Sequence, residues 1–405
     1  MSNEQHVIVG AGHAARRAAE TLRALNADVD IVMLGEEPHA PYDRPMLSKD
    51  ALISGEGERK AFIRQHDWYA AQRIDLRLLA AVIEVDRTRA RVRLHDGSVI
   101  GYDRLLLAMG SRVRRFSGPV DERVPLHYVR TLADARALRA ALAPGKRVAI
   151  LGGGFIGLEV AAAATQAGCE ATVIEPAPSL LQRALPKSVA QYVAALHERH
   201  GVELRLGTMP HAIAYESGGA SIQTDAGAVA ADVVVVGIGV VPNVELAEGC
   251  GLEVRNGIVV DEQCRTSDPA VFAAGEVTLH ANPLLGCSVR IESWQVAENQ
   301  PAVAAENMLG GRAIYAELPW LWSDQFDCNV QTLGLIETQH RLVTRGDPSS
   351  GSFCVMALDE TGRMRAAIAV NSGRDIGACR RLIAAGIALD EARLADTSVS
   401  LRSLL

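Results

Sequence analysis

Short apolar runs, each followed by a segment whose apolar residues recur at helical spacing, alternate along the chain to about residue 280. His6-Val7-Ile8-Val9 is the first run, with a helix-like segment at 14–22 behind it; 147–151 and 158–164 repeat the pair. Strands that are apolar on both faces, each followed by a returning helix, predict parallel sheets covered by helices. From about Leu318 the pattern changes. Short strand candidates at 330–335 and 352–358 are separated by Gly/Pro/Ser turns such as 346–351, which predicts a smaller antiparallel domain closed by a helix that includes 375–385. Each strand-helix unit is followed by a second candidate strand pair. In the first these are 76–79 with 91–94, leading through the turn Asp96-Gly97 to 105–107; in the second, 202–206 with 221–224. The chain thus reads as a coarse internal duplication of domains. Its longest apolar stretch, 233–241, is too short to span a bilayer and reads as a buried strand.

Between strand and helix in each unit lies a glycine-rich turn, Gly10-Ala11-Gly12-His13-Ala14-Ala15 and, about 140 residues on, Gly152-Gly153-Gly154-Phe155-Ile156-Gly157. One such turn is a weak signal, but the strand-turn-helix context occurs twice. The first two glycines allow a tight turn and close backbone approach to a pyrophosphate, which sits on free N–H groups at the positive end of the helix. The third small residue, Ala15 or Gly157, lets helix and strand pack closely. A second strand then ends in an acid, Glu36 in the first unit and Glu175 in the second, placed to accept hydrogen bonds from ribose hydroxyls. Two dinucleotides are therefore expected. Glu175 repels the extra phosphate of NADPH and so favours NADH, while Arg183 nearby leaves NADPH open.

Composition narrows the class. A chain of 405 residues should hold two or three domains, and its 48% hydrophobic and 22% charged residues are those of a globular protein. A net charge of -7 without a dense Lys/Arg run argues against nucleic acid. With the first glycine turn at residue 10 there is no room for a leader, so a cytoplasmic location without membrane association is expected. The seven cysteines show neither C-x-x-C nor C-x-x-x-x-C spacing. No disulfide framework, metal site or internal redox pair is expected, and the thiols read as small core or surface residues.

Further motifs carry a likeness: Pro41-Tyr42-Asp43-Arg44-Pro45 with Leu47-Ser48-Lys49, the stretch 152–159, Pro242-Asn243, Ile291-Glu292-Ser293-Trp294, and Pro319-Trp320-Leu321-Trp322-Ser323-Asp324-Gln325. Over essentially its whole length the chain resembles the FAD-dependent, NADH-oxidising ferredoxin reductases that supply electrons to Rieske-type aromatic oxygenases and haem-thiolate monooxygenases. The resemblance implies an α/β fold of two Rossmann-like, glutathione-reductase-like dinucleotide-binding domains plus a C-terminal α+β domain. It implies FAD on a discontinuous domain (1–112 and 242–317), NADH on 113–241, and a C-terminal domain from 318 to 405.

Carried over residue by residue, the FAD set is Gly10, Gly12, Ala14, Ala15, Glu36, Arg44, Pro45, Lys49, Ala108, Gly110, Arg112, Gly275, Glu276, Trp294 and Trp322. The NAD set is Gly152, Gly154, Phe155, Ile156, Gly157, Glu159, Glu175, Arg183 and Gly239. Arg44 offers a planar fork of donors suited to a pyrophosphate. Lys49, by this likeness, sits near flavin N5, favours the negative reduced flavin and pairs with Glu159, which limits the effect. Trp322 is expected to pack on the ring or at the electron exit, and Lys49, Glu159 and Trp322 form the expected catalytic set. Residues 266–276 look like a second flavin signature, in which a strand ends at Gly275, an acid holds the ribityl hydroxyls and a helix N-terminus faces the phosphate.

Three positions depart from the family pattern. Glu276 replaces the usual aspartate and adds a methylene; Met109 replaces threonine and loses a hydroxyl; Met46 replaces a second proline found in many relatives. The implied partner is a [2Fe-2S] ferredoxin upstream of a terminal oxygenase, with the reductase a monomer or homodimer. Ferredoxins are commonly acidic, so a basic docking patch is expected among Arg290, Arg312, Arg341, Arg345, Arg374, Arg380 and Arg381. Disulfide reductases are disfavoured because no cysteine precedes Cys169. An NADH-sensing flavoprotein of the apoptosis-inducing-factor type and a rubredoxin or monodehydroascorbate reductase remain as alternatives.

Overall fold

The computed structural model describes residues 4–405, which divide into two compact units. The first comprises the residues up to Pro45, Arg59–Arg112 and Val240–Leu318; the second comprises Met46–Glu58, Val113–Gly239 and Pro319–Leu405.

At the centre of the first unit is a parallel sheet in the spatial order Val271–Ala273, Arg104–Leu107, Gln5–Val9, Asp30–Leu34, Ile74–Arg77. Val7 lies opposite Val32 on one neighbour and Leu105 on the other. Because side chains alternate along a strand, Ile8, Met33 and Leu106 face one layer and Val7, Val9, Val32 and Leu34 the other. The first face is covered by the helices His13–Leu25 and Trp294–Met308, which bring Ala15, Ala18, Leu22 and Ala304 into the core. The second is covered by an antiparallel sheet that supplies Val85 and Val92 and by a mixed sheet that supplies Ile258 and Val260. Burial on both sides is why these strands read as continuous apolar runs.

The second unit repeats the plan with the order Glu203–Leu206, Glu170–Glu175, Arg147–Leu151, Val233–Val236, Leu126–His127. Helices Phe155–Gln166 and Lys187–Arg199 cover one face, and an antiparallel three-stranded sheet covers the other through Ile213, Ile222 and Val229. The same unit holds an antiparallel five-stranded sheet, ordered Trp320–Gln325, Cys328–Gly334, Met364–Val370, Ser352–Leu358, Arg341–Asp347, against which helix Gly373–Ala385 packs. Val330, Phe353, Val355 and Ile368 of that sheet join the core of Leu158, Val189 and Val193, and so does Leu52 from the Met46–Glu58 segment.

Four sequence expectations change. Ile74–Arg77 does not pair with Arg91–Leu94; it is the fifth parallel strand, beside Asp30–Leu34, and Arg91–Leu94 pairs with Val82–Asp86 and Val99–Gly101. Likewise Glu203–Leu206 extends the second parallel sheet, while Gly219–Thr224 pairs with Pro210–Glu216 and Gly227–Ala231. In both cases the run lies close in sequence to its supposed partner, but its apolar positions complete a more buried sheet. The stretch 233–241 is not one strand: Val233–Val236 ends before Gly237, and Val240–Pro242 begins after Gly239, whose φ of +102° turns the chain. No helix opens behind Gly275, since strand Thr278–Asn282 follows and the next helix starts at Trp294.

Among the described residues no helix is long and apolar enough to cross a membrane, and no cluster of three or more His, Cys, Asp or Glu side chains is placed to hold a metal ion. The seven cysteines are free; five are buried, Cys250 is half-buried and Cys287 exposed.

Candidate functional site

The two glycine turns are built alike. Gly10 has φ +114° and its N–H donates to the Leu34 carbonyl at 2.8 Å; Gly152 has φ +111° and donates to the Ile174 carbonyl at 2.9 Å. A Cβ on Gly10 would stand 2.4 Å from the Ala108 carbonyl oxygen, and one on Gly152 2.5 Å from that of Gly237. Both positions therefore require glycine twice over, for conformation and for space. Gly12 and Gly154 are the reverse: each is the N-cap of its helix without a side-chain cap bond, and a Cβ there would meet nothing within 4 Å. The space a side chain would fill is open in front of unpaired helix N–H groups, as an approaching pyrophosphate needs. The residues present thus fit one dinucleotide on each turn.

In the first unit Ala15 is fully buried and Ala14 nearly so, with Gly275 (φ +90°) placing its missing Cβ 3.0 Å from that of Ala14. The Gly275 N–H donates to Gln300 Oε1 at 2.8 Å, and Glu276 beside it is half-buried. Glu36 is exposed just past Gly35, whose own Cβ would clash with Ala11 at 2.4 Å. Arg44 Nη2 pairs with Glu37 Oε1 at 2.7 Å, its Nη1 donates to the Tyr42 hydroxyl at 3.0 Å, and that hydroxyl donates to Glu37 Oε2 at 2.5 Å. Burial opposes the Arg44 charge, yet Tyr42, Glu37 and Glu276 outweigh it and hold its pKa above the ordinary value. Pro45 follows in the short helix Arg44–Ser48. Trp294 donates Nε1–H to Asp43 Oδ1 at 3.0 Å and stands edge-on to His13. Ala108 is buried, and Gly110 (φ +60°) and Met109 both give their carbonyls to Asn243. Asn243 Oδ1 in turn accepts from Arg112, which also pairs with Glu245 at 2.6 Å.

In the second unit Gly157 packs on the turn itself, its absent Cβ 2.1 Å from the Gly152 carbonyl oxygen. Glu175 bends back: Oε2 accepts from the Gly153 N–H at 2.7 Å and Oε1 from the Ala177 N–H at 2.8 Å, which fixes a negative charge beside the open face. Phe155 packs against the core, whereas Ile156, Arg183 and Gly239 are exposed.

Lys49 and Glu159 meet within the same unit, Nζ to Oε1 at 3.5 Å, and Lys49 also reaches Asp324 at 3.1 Å. Glu159 is 5% exposed and accepts from Ser48 Oγ at 2.5 Å and Ser323 Oγ at 2.6 Å. Burial pushes its carboxyl pKa up, against the pull of Lys49, Ser323 and Ser48. The network continues from Ser323 to Gln325 and from Gln325 to His197. Trp322 stacks on Trp320 with centroids 5.0 Å apart, and Lys49 Nζ lies 5.5 Å from the Trp322 ring. The Lys49 segment is held in place by Arg139, which donates to the Ala51 carbonyl at 2.6 Å and to Glu58 at 2.9 Å, and by Leu52 in the core. Sequence reasoning missed Ser48, Ser323 and Asp324 as partners, although all three stand inside the motifs quoted for Lys49 and Trp322.

Two of the arginines expected to face a partner are engaged inside the protein. Arg345 is 8% exposed and its guanidinium donates to the carbonyls of Leu394, Asp396, Thr397 and Val399, so it clasps the carboxyl-terminal segment. Arg290 pairs with Glu292 and Asn256, its side chain only 10% exposed. Both leave the docking set; Arg312, Arg341, Arg374 and Arg381 are exposed and Arg380 half-buried. Arg345→Met is expected to cost about 2–3 kcal/mol, because the carbonyls it serves lose their donor. Denaturant unfolding measures that loss.

Comparison with known proteins agrees with this geometry. The family description "Pyridine nucleotide-disulphide oxidoreductase" matches residues 4–301, and "Reductase C-terminal" matches residues 320–405. The chain is 62% identical over 406 residues, 100% of each protein, to the anthranilate 1,2-dioxygenase system ferredoxin–NAD(+) reductase component of Burkholderia cepacia. It is 34% identical to putidaredoxin reductase of Pseudomonas putida, covering 100% of this chain and 97% of that one. Among solved structures, the ferredoxin reductase for the CYP199A2 system of Rhodopseudomonas palustris superposes with a TM-score of 0.94 at 33% identity, covering 99% of each chain. The covalent putidaredoxin reductase–putidaredoxin complex gives 0.95 at 33% identity, covering 100% of this chain and 98% of that one.

Proposed function

The chain belongs to the pyridine nucleotide-disulphide oxidoreductase family, with a reductase C-terminal domain, and from that membership we propose that it is the ferredoxin reductase component of an oxygenase system. Its cofactors are FAD and NADH, and its electron acceptor is a [2Fe-2S] ferredoxin. The observation that carries this reading is the pair of open glycine faces, Gly12 and Gly154, each at a helix N-terminus of its own parallel sheet. Full-length identity of 62% to an anthranilate dioxygenase component supports a terminal oxygenase that acts on an aromatic ring. When bound on the first glycine turn and beside Arg44, FAD would supply the chemistry that couples a two-electron hydride donor to one-electron acceptors, which corresponds to two ferredoxins per NADH.

The residues do the positioning. Gly10 shapes the turn, and Gly12, Ala14 and Ala15 leave backbone N–H groups to the FAD pyrophosphate; Glu36 serves the ribose and Glu276 the ribityl hydroxyls. Arg44, already fixed by Glu37 and Tyr42, carries the positive charge toward the pyrophosphate. Gly152 shapes the second turn, and Gly154 and Gly157 leave N–H groups to NADH, where the charge on Glu175 disfavours a 2′-phosphate. Lys49 supplies a cation for the reduced flavin, and Glu159, held by two serine hydroxyls, moderates it.

Stopped-flow absorbance tests the whole reading. Mixing with NADH should bleach the flavin band rapidly, and a [2Fe-2S] ferredoxin should restore it rapidly. A long-lived reduced complex that no ferredoxin reoxidises would overturn the reductase function in favour of an NADH-sensing flavoprotein.

A further inference from the structure

His13 is the first residue of the helix that Gly12 opens, and its ring is 9% exposed. Nδ1 lies 2.7 Å from Asp43 Oδ1, on the loop that continues into Arg44; Nε2 lies 2.6 Å from Glu298 Oε2, on helix Trp294–Met308. Nε2 and the Glu298 oxygen are placed for a hydrogen bond, whereas Nδ1 meets Asp43, whose Oδ1 accepts from Trp294, as an ion-pair contact without hydrogen-bond geometry; a carboxylate this close to each ring nitrogen is the environment of an imidazolium. A neutral ring could accept from Arg16 Nη2, 2.9 Å from Nε2, but its lone pair would then point at the Glu298 oxygen. The other groups around the ring are accounted for. Arg16 pairs with Glu298 and with Glu20 at 2.7 Å, Arg17 lies 3.4 Å from Glu298, and Arg64 holds Glu20 at 2.9 Å. Tyr69, from helix His66–Ala71, is a buried phenol whose pKa is pushed up, so it stays neutral.

We propose that His13 is a positioning residue for FAD in this chain: as an imidazolium it ties Asp43, and with it the loop bearing Arg44, and Glu298 to the helix terminus that receives the pyrophosphate, so that flavin retention weakens as pH rises. This rests on the reading of the first glycine turn as the FAD site. A bound pyrophosphate anion at the helix terminus favours the imidazolium, and by reciprocity the imidazolium favours the bound anion. Burial and Arg16 oppose the charge on His13, but Asp43 and Glu298 outweigh them and raise its pKa. That raised pKa belongs to the flavin-free chain, and the bound anion raises it further, so the contribution to FAD binding is complete below the flavin-free value and disappears as pH rises through that of the complex.

Titration of the flavin-free protein with FAD, followed by quenching of FAD fluorescence between pH 6 and pH 9, tests this. The wild type should bind about tenfold more weakly at the upper end, one pKa unit of difference between free and bound states corresponding to a factor of about ten. His13→Gln should bind weakly with a flat profile. Glu298→Gln keeps the histidine, removes one carboxylate, and should move the decline to lower pH. A wild-type affinity that does not change with pH, or a His13→Gln profile that still declines as the wild type does, overturns the proposal while leaving the FAD site in place. Failure of the wild type to bind FAD at any pH overturns the FAD reading and this inference with it.

Discussion

Gly10→Ala is expected to yield a chain that neither retains FAD nor oxidises NADH, whereas Gly12→Ala folds as the wild type does and loses only the flavin. The two glycines sit two residues apart, and the difference lies in what surrounds them. At Gly10 the φ of +114° is closed to an alanine without strain, and its Cβ would lie 2.4 Å from the Ala108 carbonyl, so turn and sheet must both move. Strain and overpacking together cost about 3 kcal/mol. In a chain of 405 residues that lowers the melting temperature by about 4 °C. At Gly12 the φ of −94° is ordinary and no atom lies within 4 Å of the new methyl group, so the flavin-free protein should melt within about 1–2 °C of wild type. The methyl group then occupies the space through which a pyrophosphate approaches the helix N–H groups. Flavin content per chain and the melting temperature of the flavin-free proteins separate the two outcomes. Full flavin content in Gly12→Ala would place the pyrophosphate elsewhere.

Lys49→Met is expected to slow flavin reduction by NADH about 10- to 100-fold, the loss of a preorganised charge worth about 1.4–2.7 kcal/mol in the transition state. It should also change how stability depends on pH. Burial already holds the Glu159 carboxyl above its ordinary pKa of 4.5, and Lys49 is the strongest influence drawing it back. A raised carboxyl pKa means that the folded state binds the proton more tightly, so its contribution is present below 4.5 and lost as pH rises through the raised value. Without Lys49 that value rises further, and the variant should lose about 2–3 kcal/mol near neutral pH while approaching wild type in acid. Glu159→Gln removes the buried charge altogether. It should melt no lower than wild type at pH 8 and, with the Lys49 cation no longer moderated, should reduce its flavin at least as fast as wild type. Melting temperature against pH, with stopped-flow reduction rates, reads both effects. A Lys49→Met protein with wild-type rates and a wild-type pH profile would remove Lys49 from the mechanism.

Many of the candidate site residues were legible along the chain, for a local reason. A strand, a glycine turn and a helix are consecutive, so the residues that receive a pyrophosphate appear as a short fixed pattern. Gly10 and Gly152 can be picked out because the conformation they adopt excludes other residues. Lys49, its partner Glu159 and the serine that binds Glu159 are not consecutive. Glu159 lies 110 residues away and Ser323 another 164, on a helix and a strand whose only common feature in sequence is apolar periodicity. The pairing of Ile74–Arg77 was misread for a related reason: alternation shows that a segment is a strand, but which neighbour it takes depends on which sheet buries it best. Arg345 looks in sequence like any surface arginine; only the path of the terminal segment, with four carbonyls turned inward, makes it a buried clasp.

The sequence by itself thus determined that there are two glycine turns between strand and helix, which residues form them, and that Lys49 follows the first and Glu159 the second. It could do so because backbone sterics act between neighbours and leave their mark on residue type. Only the tertiary structure decided that Glu159 is buried between two serine hydroxyls and that His13 stands between two carboxylates. It also decided that Arg345 and Arg290 are engaged inside the protein and that Arg341 pairs with Glu391. Those properties are sums over groups brought together from distant parts of the chain, and charge and burial act through space without regard to sequence order.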